Sequence, residues 1–347
     1  MRISTSWNHQ LGVNAILDQQ SKLSETQMKL STGKKILTPS EDPAAAVRLI
    51  DLDQVMKQTQ QYQDNIVIAR QRLGLEEANI QNVVDAMFRI KELTVQGLND
   101  SNTQSDRTAI AAEIDQLNEH LLGIANTKNA NGEYIFAGYA VGTQPYRQGP
   151  AFSPLKDVDG TDINTPAIFS YPYFGDDYGG LSGNGKREIQ IGPSRYVADG
   201  NYGEQVFGAS AVSSTDVDPL DPAKVPQNLF EIVGKISALL KADAPDNDID
   251  PDPVNKLTAL EQGLNDLDQA LERVVTVQTT IGARMNALDR QESTNDDYIL
   301  DMQTTKSDIG DLDYAEAISQ FNLQNISLQA AQQAYTRVQN LSLFNYL

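Results

Sequence analysis

From Leu257 to Leu288 the apolar residues recur at alternating steps of three and four: Leu257, Leu260, Leu264, Leu267, Leu271, Val274, a polar Gln278, then Ile281, Met285 and Leu288. Such a heptad seam puts one narrow apolar stripe on a helix, and only another helix covers it well. Weaker repeats at Ile299, Met302 and Ile309 extend the predicted helix to about fifty residues, about 75 Å at the usual rise. Nearer the start of the chain, Leu52, Val55, Tyr62, Ile66, Ala69, Leu73, Ile80, Val83, Met87 and Ile90 repeat the spacing, with polar gaps at Thr59 and Glu76. The two stretches are expected to pair. The predicted fold is therefore mainly α: a long antiparallel coiled-coil rod built from both chain ends, elongated, with the termini side by side.

Ahead of the rod, Val13, Ile16, Leu23 and Leu30 form a thin apolar face among Gln, Ser and Asn. Alone, such a helix buries too little to offset its ordering entropy, so it is expected to order only against other chains. In Leu30 to Ala46, reading LSTGKKILTPSEDPAAA, Gly33 can end this helix and Pro39 forbids its continuation. The run Ser40, Glu41, Asp42 and Pro43 starts the next, which makes the segment a hinge. The Gly33-Lys34 pair is not read as a phosphate loop, because Met28 stands where that motif needs Gly and Lys35 where it needs Ser or Thr.

A polar turn with Ser105 as cap leads into a helix carrying Ile110, Ile114, Leu117, Leu121 and Ile124, and His120 lies one place off that seam, in solvent. Asn131-Gly132 is a hairpin signal and Tyr134 to Phe136 reads as strand. Residues 138–226, rich in Gly, Pro and Tyr, form a small β-rich insertion with strand candidates at Arg187 to Ile191 and Arg195 to Val197. Tyr171, Tyr173, Phe174 and Tyr178 are read as its core rather than as a sugar-stacking platform. A Pro-rich linker, Asp216 to Val225, returns to an amphipathic segment with Leu229, Ile232, Val233, Ile236 and Leu240. Asp246, Asp248 and Asp250 mimic the opening of a calcium loop, yet Pro251 and Leu257 stand where Gly and Glu are required. Past Gly310, Asp311 to Asp313 cap a last helix with Phe321, Leu328 and Tyr335 in heptad register beside Ala331 and Val338, followed by an apolar tail through Phe344 to Leu347.

Composition narrows the function. A formal charge of -20 repels phosphate backbones and acidic lipids, which argues against nucleic-acid and membrane partners. No apolar run is long enough to span a bilayer, mean hydropathy is -0.41, and Met1 to Asn8 has no secretory h-region. With no cysteine and only His9 and His120, the chain offers no catalytic, cofactor-binding or metal-binding constellation. An enzyme seated in the insertion and an acidic cytoplasmic coiled-coil module are the rival classes.

The quoted segments resemble the flagellin family of bacterial flagella. The start MRIST and the segment from Leu30 to Ala46 are similar to its N-terminal hinge, and ANGEYIFAG, Ala130 to Gly138, to the approach to its outer domain. REIQIGPSRYVADGNYGEQVF, Arg187 to Phe207, and the closing stretch from Asp311 resemble the branch that joins hook to filament. Pro39, the Asp42-Pro43 step and the Phe344 to Leu347 tail favour that branch over flagellin, the bulk filament subunit, which remains the alternative.

The resemblance implies a non-enzymatic structural subunit with no cofactor, located in the extracellular flagellum and exported by the type III apparatus without a cleaved signal. Its implied partners are other copies of itself in a ring or helical layer, a neighbouring hook-associated protein, flagellin and an export chaperone. Residues 1–43 and 310–347 would be inner terminal helices, 44–137 and 227–309 the rod, and 138–226 the outer domain. Subunit contacts are expected at Ile16, Leu23, Leu30, Phe321, Leu328, Tyr335, Phe344 and Leu347, and a hinge at Gly33, Pro39, Asp42 and Pro43. The expected rod core is Leu52, Val55, Ile66, Leu73, Ile80, Met87, Leu257, Leu264, Leu271, Ile281 and Leu288.

Overall fold

Each heptad seam is one continuous helix in the computed structural model. The structure describes residues 2–149, 169–175, 187–208, 228–242 and 253–344, without the side chains of 2–6, 8, 253–257 and 338–344. Leu347, Tyr178, the linker 216–225, the acidic stretch around Asp246 to Asp250, and the side chains of Leu257 and Phe344 therefore lie outside it. The order is α1 (Arg2–Thr32), α2 (Pro43–Gly97), α3 (Gln104–Ala125), β1 (Glu188–Gly192), β2 (Arg195–Ala198), α4 (Gly203–Phe207), α5 (Leu229–Lys241), α6 (Pro253–Gly310) and α7 (Tyr314–Phe344). Packing divides the chain into two units, Met1–Gln61 with Thr294–Leu347, and Tyr62–Ser293.

In the second unit α2 and α6 run antiparallel. Gln63 donates to the Glu292 carbonyl, Arg70 pairs with Asp289, Gln278 donates to Gln81, and Lys91 pairs with Asp268, so partners step down one helix as they step up the other. Beneath these bridges Tyr62, Ile66, Ala69, Leu73, Ile80, Val83, Met87 and Ile90 are buried, as their spacing predicts.

Two details differ from the sequence reading. The polar gaps of α2 are not gaps: Thr59, Glu76 and Thr94 are buried in step with the rest. Thr59 and Thr94 satisfy their hydroxyls on the carbonyls of Val55 and Ile90, one turn back. On α6 one column is where the heptad puts it, at Leu260, Leu267, Val274, Ile281 and Leu288, but the other falls one residue early, at Gly263, Ala270 and Val277. Leu264 and Leu271 flank it, half-buried. The cause is close approach, since a Cβ on Gly263 would lie 2.9 Å from Ile236 of α5. A seam read from large side chains alone picks the flank.

Helix α5 is short and almost wholly buried. Asn228 caps it reciprocally with Glu231, each side chain taking the other's backbone N–H. It lies against α3, where Asn118 donates to the Phe230 carbonyl and Ser237 to that of Ala111. The cap of α3 is Thr103 with Asp106, not Ser105. A ring cluster of Phe136, Tyr146, Phe207 and Phe230, with centroids 4.9–5.6 Å apart, joins the insertion to these helices. Tyr171 and Tyr173 pack on its edge, while Phe174 is exposed under Arg147. The Asn131-Gly132 turn is present, but only Tyr134 makes a bridge, to Lys128; Ile135 and Phe136 turn so that the Phe136 ring enters the cluster. Strands β1 and β2 form the expected antiparallel hairpin, tied to α2 by Asn65 on the Gln190 carbonyl and to α6 by Arg195 on Gln291.

Glu76 sits at the centre of the seam with no solvent exposure. Its Oε1 accepts from the Asn201 backbone, at 3.1 Å, and from the Asn201 side-chain amide, at 2.8 Å, which anchors the turn after β2 to α2. Burial pushes this carboxyl up to about 7, against the hydrogen bonds from Asn201 and the nearby Arg284 guanidinium. Asp199, two residues earlier, is held by Arg72 and Arg187.

Three substitutions test this packing. Between about pH 4.5 and 7 the folded chain holds a proton on Glu76 that the unfolded chain has lost, so stability falls as pH rises through that window. Glu76→Gln keeps the contact with Asn201 and is expected to raise stability at pH 8 by on the order of 3 kcal/mol and to flatten that pH dependence in urea unfolding. Gly97→Ala is expected to destabilise by about 1–2 kcal/mol despite better helix propensity, because the new Cβ would lie 2.6 Å from buried Leu240. Gly74→Ala, whose Cβ meets only Met285 at 3.7 Å, should instead stabilise by up to about 1 kcal/mol.

Candidate assembly surface

The first unit is built from α1, α7 and the adjoining ends of α2 and α6. Gly33, at φ 68, closes α1, its N–H bonded to the Lys29 carbonyl. Asp42 accepts from the Ala45 N–H and Pro43 opens α2, which starts the helix where the residues predict; Pro39 is exposed. The connection is stitched to its counterpart between α6 and α7. Lys35 N–H donates to the Gly310 carbonyl at 2.8 Å and Leu312 N–H to the Gly33 carbonyl at 3.0 Å, around a Lys34–Asp311 bridge. Glu41 reaches back to Lys29 at 2.8 Å, and that ammonium holds its carboxyl below the ordinary range. Asp313 caps α7 by accepting from the Ala315 and Glu316 N–H groups.

Helices α1 and α7 pack antiparallel: Gly12 and His9 meet Tyr335, Gln19 donates to the Gln324 carbonyl, and Gly33 meets Tyr314. Ile16, Leu23 and Leu30 are half-buried on the inner face of α1, and Phe321, Leu328 and Tyr335 on that of α7. The structure thus places these six candidate contact residues on the stripe the two helices turn to each other.

The outward faces are also apolar. Trp7 (66 % exposed), Leu11, Leu17 and Met28 on α1, and Ile318, Leu323 (64 %) and Ile326 (66 %) on α7, stand in solvent. Sequence reasoning missed these because they fall off the heptad stripe; the available signal was apolar residues on every side of a helix, the mark of one buried on all sides. Among the described residues the first unit buries only Met302 and Ala317 as apolar side chains. That poverty explains why Leu52 is half-buried and Val55 is 37 % exposed, where the seam predicts core. Among the described residues, no three acidic or histidine side chains are placed to hold a metal ion, and no helix is long and apolar enough to cross a membrane.

Comparison with known proteins agrees with this layout. Residues 3–141 match the bacterial flagellin N-terminal helical region and residues 264–347 the bacterial flagellin C-terminal helical region. The chain is 30% identical over 344 residues to flagellar hook-associated protein 3 of Escherichia coli K12, and 27% identical over 345 residues to that of Salmonella typhimurium, each alignment covering 99% of both chains. A solved flagellar hook associated protein-3 from Legionella pneumophila shares the fold, with a TM-score of 0.56 over 74% of this chain and 98% of that one, at 20% identity.

The stitched connection yields a test. Gly33→Ala puts a Cβ at a left-handed residue and 2.8 Å from the Tyr314 hydroxyl, a cost of about 1 kcal/mol or more. Hydrogen exchange is expected to speed up at the Lys35 and Leu312 amides while Ile80, deep in the seam of the other unit, keeps its protection.

Proposed function

Because the chain belongs to the bacterial flagellin family, we propose that it is a structural subunit of the flagellum, without enzymatic activity, that joins hook to filament. The observation that carries this reading is the first unit's inverted economy of apolar surface among the described residues: little core, and large apolar side chains facing water around α1 and α7. Covering one Leu or Ile completely contributes about 1.5–3 kcal/mol, so several such residues on each copy supply a driving force for assembly. Support for the junction rather than the filament comes from relatives matched from end to end that carry the hook-associated protein 3 name.

In the assembled tube the inner stripe, Ile16, Leu23, Leu30, Phe321, Leu328 and Tyr335 with Phe344 and Leu347, would form the terminal helix pair. The outward residues would meet neighbouring copies, the adjoining hook-associated protein and flagellin. The subunit would stand outside the cell, exported without a cleaved signal, with an export chaperone covering the same apolar faces beforehand.

A double variant tests this. Leu323→Asp with Ile326→Asp changes only exposed positions, so circular dichroism and melting of the isolated chain are expected to stay unchanged while incorporation onto purified hooks is lost. Wild-type protein that grows long filaments from its own seeds would instead identify the bulk filament subunit. Normal incorporation of the double variant would remove the outward faces from the mechanism.

A further inference from the structure

After α3 the chain enters its insertion through the turn Asn129 to Glu133, which carries an Asn-Gly step, Asn131-Gly132, at its tip. Such a step is chemically labile, because the Gly nitrogen can close a ring onto the Asn side-chain carbonyl carbon and Gly has no side chain to obstruct the approach. Asn131 and Gly132 are both exposed. A Cβ added to Gly132 would meet nothing within 4 Å, so the ring has room to close and water reaches it. Among the described residues no hydrogen bond holds the Asn131 side chain.

What restrains the step is Asn129. Its backbone carbonyl accepts from the Gly132 N–H at 3.0 Å, which keeps the proton on the nitrogen that has to attack. Its side-chain Oδ1 accepts from the Asn131 N–H at 2.9 Å and from the Glu133 N–H at 3.0 Å, and its Nδ2 donates to the Glu133 carboxylate at 2.8 Å. The Asn129 N–H donates to the Glu133 carbonyl at 2.8 Å and closes the turn at its base. Ring closure needs the peptide plane between Asn131 and Gly132 to swing toward the Asn131 side chain, and that swing breaks the Gly132 bond. Reaction therefore proceeds from molecules in which the turn has opened, and its rate follows their population.

We propose that Asn131 is a site of spontaneous deamidation, timed by opening of the Asn129 turn. The Gly132 nitrogen forms a bond to Cγ of Asn131, the Cγ–Nδ2 bond breaks, and Nδ2 leaves as ammonia with the proton given up by Gly132. Water then opens the succinimide at one carbonyl or the other, leaving aspartate or isoaspartate. Both products place a negative charge beside Glu133, and isoaspartate lengthens the backbone by a methylene. The position matters because the Tyr134 N–H on the Val141 carbonyl, at 2.9 Å, and the Ile135 N–H on that of Thr127, at 3.1 Å, fix the segment that carries Phe136 into the ring cluster. The reaction needs no partner protein, and the inference does not depend on the junction reading.

The test incubates the full chain at pH 8 and 37 °C and follows Asn131 by tandem mass analysis after cleavage at lysine. Cuts after Lys128 and Lys156 separate it from Asn184-Gly185, the other Asn-Gly step of the sequence. The reference is the free peptide ANGEYIFAG, which has the step without Asn129. Aspartate and isoaspartate are expected at residue 131 of the protein, formed at least about fivefold more slowly than in the peptide, the effect of ordinary hydrogen bonds holding the turn shut. Asn129→Ala is expected to close most of that gap, with hydrogen exchange at Ile80 checking that the seam stays folded. Glu133→Gln, which keeps an acceptor for Nδ2 of residue 129, is expected to react at close to the wild-type rate. No reaction at Asn131 in wild type or in Asn129→Ala by the time the peptide is exhausted would overturn the site. Wild-type protein as fast as the peptide, or Asn129→Ala no faster than wild type, would overturn control by the turn. A large slowing in Glu133→Gln would do the same, by making the carboxylate a base for the reaction.

Discussion

Antiparallel pairing of two heptad stripes, drawn from segments some two hundred residues apart, is the constraint on which the Tyr62–Ser293 unit depends. A narrow stripe cannot be satisfied by its own helix, so α2 and α6 need each other before either is stable in water. Once they pair, the small residues Gly97 and Gly263 leave hollows into which Leu240 and Ile236 of α5 fit. The ring cluster around Tyr146 then fastens the insertion to the same core. Among the described residues the β hairpin is the one sheet, and it is held by side chains reaching from the helices rather than by further strands.

What was legible in the sequence follows from how each feature is encoded. The long helices, the helix breaks at Gly33 and Gly310, the Asp42-Pro43 start and the two strands are local patterns and are where the residues say. Gly263 and Ala270 took a seam column assigned to Leu264 and Leu271, because close approach of a third helix rewards the absence of a side chain and periodicity counts only large ones. Phe136 departs from the strand reading for a related reason: its neighbours favour extended backbone, and the tertiary pull of a ring cluster that also takes in Phe207 and Phe230 overrides that preference. For the terminal helices, a search for stripes found the surface α1 and α7 share and overlooked the one they offer outward.

The two units manage polar and apolar groups in opposite ways. The second buries a carboxylic acid in the middle of its seam and supports it with an Asn donor pair and a flanking Arg–Asp–Arg cluster, accepting a loss of stability to fix the insertion's root against α2. The first, among its described residues, buries few apolar side chains and leaves large ones in water, with connections held by a few backbone hydrogen bonds. One is a finished core; the other leaves its apolar faces open to water.

The span between the two stripes also sets an order of events during synthesis. Arg70 has to wait for Asp289, so the first two-thirds of the chain can emerge from a ribosome without the partner that makes its longest helix worth forming. Closing a loop of that size costs about 5 kcal/mol in chain entropy before the first contact returns anything, and topologies of this kind fold slowly. A nascent chain built this way stays pliable until nearly all of it exists, a delay written into the connectivity rather than into any single residue.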